Sequence, residues 1–194
     1  MDWHIVALAG HLIGFALGAG GATISDITFL NAIRERKLSA EQHRFLMMIS
    51  KVVWLGFILL VISGAAMFAL IYIENHSLPM LAAARWQAKL TLVGIVLING
   101  IYFKVKVFPA LKNMVGQELN HKSIGVSLWR LAVPGTISIL SWYSILVLSI
   151  LPRGLNIPLG YFIFIYAVLL ICGIIISKTL LKKLLGNYSL SLHN

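Results

Sequence analysis

The stretch HLIGFALGAGG, from His11 to Gly21, places one imidazole and four glycines inside an apolar run that begins at Trp3. No other titratable side chain lies between His11 and Gly21. Apolar runs of this kind recur along the chain, so the stretch indicates the class of protein before it indicates a site. It also raises the question of whether its glycines serve helix packing or the binding of a flat cofactor.

The composition is typical of an integral membrane protein. Of 194 residues, 59% are hydrophobic and 11% are charged, and the mean hydropathy is +0.91. Soluble domains are about one quarter charged, and the apolar runs here exceed the ~10 residues of a barrel strand. We therefore predict an all-α, polytopic bundle of membrane helices in a single domain. The net charge of +10 is assigned to cytoplasmic loops rather than to a nucleic-acid partner.

Five segments are long enough to cross ~30 Å of hydrocarbon at about 1.5 Å per residue. They cover residues 3–24, 51–73, 81–108, 129–151 and 157–177. The first helix is expected to continue as far as Ile33. Ser39 followed by Gln42 three residues later has the pattern of a capping box, which predicts that the second helix begins near Ala40.

Lysine and arginine residues are distributed asymmetrically between the connections, which predicts the orientation of the chain. The basic residues of one side are Arg34, Arg36, Lys37, Arg44 and Lys51, then Lys104, Lys106, Lys112, Lys122 and Arg130, and in the tail Lys178, Lys182 and Lys183. The other side has only Arg85 and Arg153. We therefore expect a multi-pass protein of the lipid bilayer, such as a bacterial inner membrane, with its N-terminus outside and its C-terminus in the cytoplasm.

His11, Gly14 and Gly18 share one face of the first helix, and Gly10, Gly14 and Gly18 form overlapping G-x-x-x-G units. Small residues allow helix backbones to approach closely in lipid. A flat macrocycle lying against the helix would need the same absence of side chains, with His11 above it as an axial ligand to the iron. Both interpretations stay open, because the His11 ring could either form hydrogen bonds to a neighbouring helix or mark a functional site.

Lys89 lies about two helical turns inside the third span, in the stretch RWQAKLTLVG. Its ammonium group either snorkels to the interface past Trp86 or pairs with an anion, such as a carboxylate of a tetrapyrrole. By the predicted topology, His11 and Lys89 enter the membrane from the same side and reach similar depths. The two side chains could therefore face one pocket.

Asp26 is predicted to lie near the cytoplasmic end of the first helix, close to Lys51 and Arg130. Its carboxylate is expected to pair with one of these cations as a clasp between helices, with proton transfer as the alternative. His76 lies in an outside connection and could fold back as a second axial ligand.

Three stretches resemble a known membrane superfamily. HLIGFALGAGGATISDITF, VISGAAMF and WQAKLTLVGIVLINGIYFKVKVFPAL look like the first three helices of HemJ-type protoporphyrinogen oxidases and CopD-like copper-resistance membrane proteins, over about Gly10 to Leu111. The resemblance implies that His11 and Lys89 take part in tetrapyrrole binding or activity. This chain differs from those proteins in its fifth span and in lacking a histidine after the KL pair.

The leading hypothesis is a protein that binds b-type haem or a related tetrapyrrole and acts in electron transfer or porphyrin oxidation. His11 would be the axial metal ligand, Gly14 and Gly18 would admit the ring, and Lys89 and Asp26 would be the candidate catalytic groups. A quinone or a redox protein would be its partner, and it could form a homo-oligomer. The alternatives are a CopD-like copper or ion transporter using His11, Lys89 and Asp26, and a non-catalytic subunit that packs through its glycine face.

Overall fold

The computed structural model describes residues 2–77, 82–117, 119, 121–152 and 157–186, with the backbone alone for 121–130, 185 and 186. In these ranges the chain forms helices α1 (Trp3–Arg34), α2 (Ala40–Asn75), α3 (Ala84–Tyr102), α4 (Phe108–Met114), α5 (His121–Ile150) and α6 (Leu159–Gly186). A π-helical turn at Phe103–Val107 joins α3 to α4. Helices α3 and α4 thus form one continuous rod.

The predicted all-α fold with five spans is confirmed, since the described residues contain five helices long and apolar enough to cross a membrane. Three ends of helices lie well beyond the predicted spans. The third span continues to Met114 instead of ending at 108, α5 begins at His121 instead of residue 129, and α6 continues to Gly186 instead of ending at 177. Helices do not have to end at the membrane surface, because their backbone hydrogen bonds are satisfied internally. In α6 the extension is rich in leucine and lysine, which favour helix. The start of the third span, predicted at residue 81, lies outside the described residues.

The start of α2 is fixed by the predicted capping box. The Ser39 hydroxyl accepts the Gln42 backbone N–H at 3.0 Å, and the Gln42 side-chain oxygen accepts the Ser39 backbone N–H at 2.9 Å. Helix α2 therefore begins at Ala40, as predicted, well before the chain becomes continuously apolar. At the other end of the bundle, the Asp2 carboxylate accepts the His4 backbone N–H and caps α1.

Helices α1 and α2 form a hairpin whose backbones touch at two glycines. A Cβ atom on Gly14 would lie 2.6 Å from the Leu60 nitrogen, and one on Gly56 would lie 2.6 Å from the Gly18 nitrogen. Real Cβ atoms do not approach other atoms so closely, so only glycine permits this contact. The glycine face of α1 thus serves close helix packing at Gly14, as small residues do in membranes.

The connections divide between two ends of the bundle. The α1–α2 connection pairs with the end of α4, because Gly116 N–H donates to the Leu38 carbonyl at 3.0 Å and Leu119 N–H donates to the Arg36 carbonyl at 2.8 Å. We call this the basic end, since it carries the basic residues around 34–44 and 104–112. At the opposite end, Arg85 donates to the Leu151 carbonyl at 2.7 Å.

An aromatic core separates the two halves of the bundle. Trp142 of α5 is only 1% exposed and packs edge-to-face against Phe15 of α1 and Phe57 of α2, with ring centroids 5.9 and 6.5 Å apart. A Cβ atom on Gly18 would clash with the Trp142 ring. The absence of a side chain at Gly18 therefore makes room for this tryptophan.

We expect Gly14→Ala to lower the midpoint of unfolding of the detergent-solubilised protein, because its methyl group would have to displace the Leu60 backbone. Overpacking of this kind costs about 1–3 kcal/mol. Gly20 on the same helix provides the matched control, because a Cβ atom there meets nothing within 4 Å. Gly20→Ala should keep the wild-type midpoint, and equal midpoints for the two variants would contradict the α1–α2 contact.

A candidate ligand cavity within the membrane

A cavity of about 420 Å³ lies between α1, α2, the continuous rod of α3 and α4, α5 and α6, in the half of the bundle nearer the basic end. Its wall is largely apolar and includes Val96, Leu131 and Leu180. The π-helical turn adds one residue to the helical repeat, and its two end residues, Phe103 and Val107, both line the cavity. Such turns often accompany functional sites. The volume falls within the range of about 300–1,000 Å³ that is usual for small-molecule sites.

Asp26 provides the one carboxyl group of the cavity wall in the described part of the chain. Its Oδ1 atom lies 3.1 Å from the position that a Cβ atom on Gly135 would occupy, so the glycine of α5 makes room for the carboxyl. Among the described residues, Asp26 has no ion pair within 4 Å and no hydrogen bond. The predicted clasp with Lys51 is absent, and the Lys51 side chain is exposed. The Arg130 side chain lies outside the described residues.

Three other polar side chains on the wall direct their donors into the protein. Asn99 Nδ2 donates to the Pro134 carbonyl at 2.9 Å, Thr136 Oγ1 donates to the Ala132 carbonyl at 3.0 Å, and Thr23 Oγ1 donates to the Ala19 carbonyl at 2.8 Å. The oxygen atoms of Asn99 and Thr136 remain as hydrogen-bond acceptors, whereas the Thr23 oxygen lies 3.2 Å from the Tyr143 hydroxyl. Ser25, Ser50, Ser138 and Ser177 add hydroxyl groups to the wall.

Asn99, Gly135 and Trp142 also line the cavity, although the sequence predicts no site role for them. The available signals were an Asn–Gly pair at residues 99–100 and a Pro–Gly pair at 134–135, both within apolar runs. Neither pair shows by itself which neighbouring helix it faces.

His11 faces α2. Its Nδ1 atom lies 3.1 Å from the Leu60 carbonyl oxygen and 3.2 Å from the Ser63 hydroxyl, which itself donates to the Leu59 carbonyl at 2.6 Å. Because a carbonyl can only accept, Nδ1 carries the proton, and the lone pair of the neutral ring is on Nε2. The structure therefore gives this half-buried imidazole the hydrogen bonding that an intramembrane histidine requires.

Gly14 and Gly18 do not border open space. The α2 backbone occupies the space in front of Gly14, and the Trp142 ring occupies the space in front of Gly18. A macrocycle could reach these glycines only by separating α1 from α2 or by displacing Trp142. The arrangement found here therefore does not fit a ring lying against them.

Lys89 is half-buried on α3, and its Nζ atom lies 4.8 Å from the centre of the Trp86 ring. This cation–π contact agrees with the interpretation of a lysine that reaches past Trp86. Lys89 is also near enough to His11 for a coulombic interaction between them. Among the described residues, Lys89 has no carboxylate within 4 Å.

His76 and Asp26 lie far from His11. His76 is the exposed left-handed cap of α2, thirteen residues beyond Ser63, which is about 20 Å along the helix. Asp26 lies fifteen residues beyond His11, about 22 Å along α1. The structure thus does not bring His76 to His11 as a second ligand, nor does it join Asp26 to His11 and Lys89. No group of three or more His, Cys, Asp or Glu residues suited to a metal ion occurs in the described part of the chain.

Comparisons of the chain with protein-family models, with curated proteins and with solved structures find no match.

Proposed function

We propose that this protein is a membrane-embedded binding protein that takes an apolar small molecule into the cavity beside Asp26, as a transporter or carrier does in its binding step. The observation that carries the proposal is a carboxyl group without a protein partner in the described residues, set in an otherwise largely apolar cavity. Ionisable groups at membrane depth usually face a cavity and serve function.

The exposure of α6 supports binding of the ligand from the bilayer. Helix α6 contributes Gly173, Ser177 and Leu180 to the wall. None of the 18 consecutive residues that form its most apolar part is buried. Its contact with α5 at Gly173 and the hydrogen bond between Tyr166 and Ser141, at 2.8 Å, hold it to the bundle. A helix with so little buried surface is the part of the wall that moves at the lowest energetic cost.

We further propose that the basic end faces the cytoplasm, as the positive-inside rule requires for a bacterial inner membrane. The support is structural as well as compositional, because the two basic connections pair with each other through Leu38 and Val115 at one end. The cavity would then open in the cytoplasmic half of the membrane.

Filling the cavity tests the proposal. We expect Ser138→Phe to occupy the cavity and to abolish labelling of its wall by the apolar photoactivatable probe 3-trifluoromethyl-3-phenyldiazirine, with the adducts mapped by mass spectrometry. Ser149→Phe places the same side chain on the exposed face of the same helix and should leave the labelling of the wall unchanged. Adducts confined to lipid-facing residues, with no difference between the two variants, would refute a ligand cavity.

A tetrapyrrole held by His11 is the second candidate function. The observation that favours it is the bond from Nδ1 to the Leu60 carbonyl, since metal-ligating histidines commonly donate their other ring N–H to a carbonyl. The metal would bind at Nε2. The tetrapyrrole ring would lie away from Gly14 and Gly18, because the α2 backbone and the Trp142 ring occupy the space in front of these glycines.

This second candidate predicts a Soret band in the absorption spectrum of the solubilised protein. His11→Ala should remove the band, whereas His4→Ala, at the opposite end of α1 from the cavity, should retain it. If the protein shows no Soret band after expression with added haem, the tetrapyrrole hypothesis is refuted. The hydrogen bonds of His11 would then serve only to join α1 to α2.

A further inference from the structure

We propose that the molecule bound in the cavity is an apolar organic cation, such as a protonated amine on a hydrocarbon body, with the Asp26 carboxylate as its counter-ion. This inference rests on the proposed function, because it names the chemical class that the same cavity takes.

Asp26 needs a partner to keep a negative charge. A carboxyl group removed from water stays ionised only when a cation or hydrogen-bond donors compensate it, and otherwise takes up a proton. Among the described residues, neither compensates Asp26 within the bundle. A ligand with an ammonium group next to Asp26 would supply both the opposite charge and the hydrogen-bond donors.

The polar part of the wall offers more acceptors than donors. One amide proton of Asn99 and the hydroxyl protons of Thr136 and Thr23 are used by backbone carbonyls. The oxygen atoms of Asn99 and Thr136, together with those of Asp26, remain as acceptors. The serine hydroxyls can adopt either role. A ligand that presents donors therefore satisfies this wall better than one that presents acceptors.

The site fits an organic cation better than a metal ion. A hard metal ion needs several oxygen ligands, and no suitable group of three or more ionisable ligands is found in the described residues. The wall around Asp26 is instead largely apolar, including Phe29, Phe103 and Leu131. Exposed Lys104 and Lys106 at the basic end also repel a small aqueous cation, whereas an amphiphilic amine can enter from the bilayer.

The test compares two probes of similar size, 4-phenylbutylamine, which is protonated at neutral pH, and the neutral hydrocarbon pentylbenzene. Saturable binding of each is measured with the full-length protein in nanodiscs, with empty nanodiscs as the blank for partition into lipid. We expect the amine to bind at least about ten times more tightly than the hydrocarbon. Asp26→Asn should remove this preference while leaving the affinity for pentylbenzene within about twofold.

Glu74→Gln is the matched control, because it removes a carboxylate at the opposite end of the bundle, where Glu74 lies 3.5 Å from His4. It should preserve the preference for the amine. Equal binding of the two probes, or an equal loss of both in Asp26→Asn, would overturn the organic cation while leaving the cavity as a binding site. If neither probe binds saturably and Ser138→Phe changes nothing, the proposed function itself fails.

Discussion

The structure depends on one constraint of the bilayer, namely that a polar group without water must find its partner inside the protein. Most polar side chains of the described helices obey it, and the indole N–H of Trp142 is a buried exception. The imidazole of His11 donates to the Leu60 carbonyl, and the side-chain amide of Asn99 donates to the Pro134 carbonyl. Hydroxyl groups such as that of Thr136 donate to carbonyls of their own helices. Asp26 is the intramembrane carboxyl group that stands outside this pattern among the described residues. A cavity lies in front of it.

Close packing and open space therefore occupy different halves of one bundle. Towards the opposite end, Gly14 and Gly56 bring the backbones of α1 and α2 into contact, and Gly18 receives the ring of Trp142. Towards the basic end, residues of the π-helical turn line the cavity, and Gly135 leaves room for the Asp26 carboxyl. The aromatic core between the halves separates His11 from Asp26, so the chain does not combine them into one polar site.

The sequence was most informative where the signal was local. The start of α2 at Ala40 follows from Ser39 and Gln42, whose mutual hydrogen bonds need no other part of the chain. The boundaries of α5 and α6 were less well predicted, because hydropathy marks where a helix leaves the hydrocarbon and not where the helix ends. Asp26 was predicted from similar depth to pair with Lys51 or Arg130. The pair with Lys51 is absent, because depth alone does not fix which way a side chain points around its helix.

By itself, the sequence determined an all-α membrane protein with five spans and with its basic connections gathered at one end. Segment length, hydropathy and charge can be read along the chain, and in a bilayer these properties specify which segments span and where the connections lie. Only the packing of the helices shows that protein atoms occupy the space in front of Gly14 and Gly18, that His11 faces α2, and that Asp26 faces a cavity. Each of these facts depends on the rotation of one helix against its neighbours, which is set by packing between residues far apart in the chain.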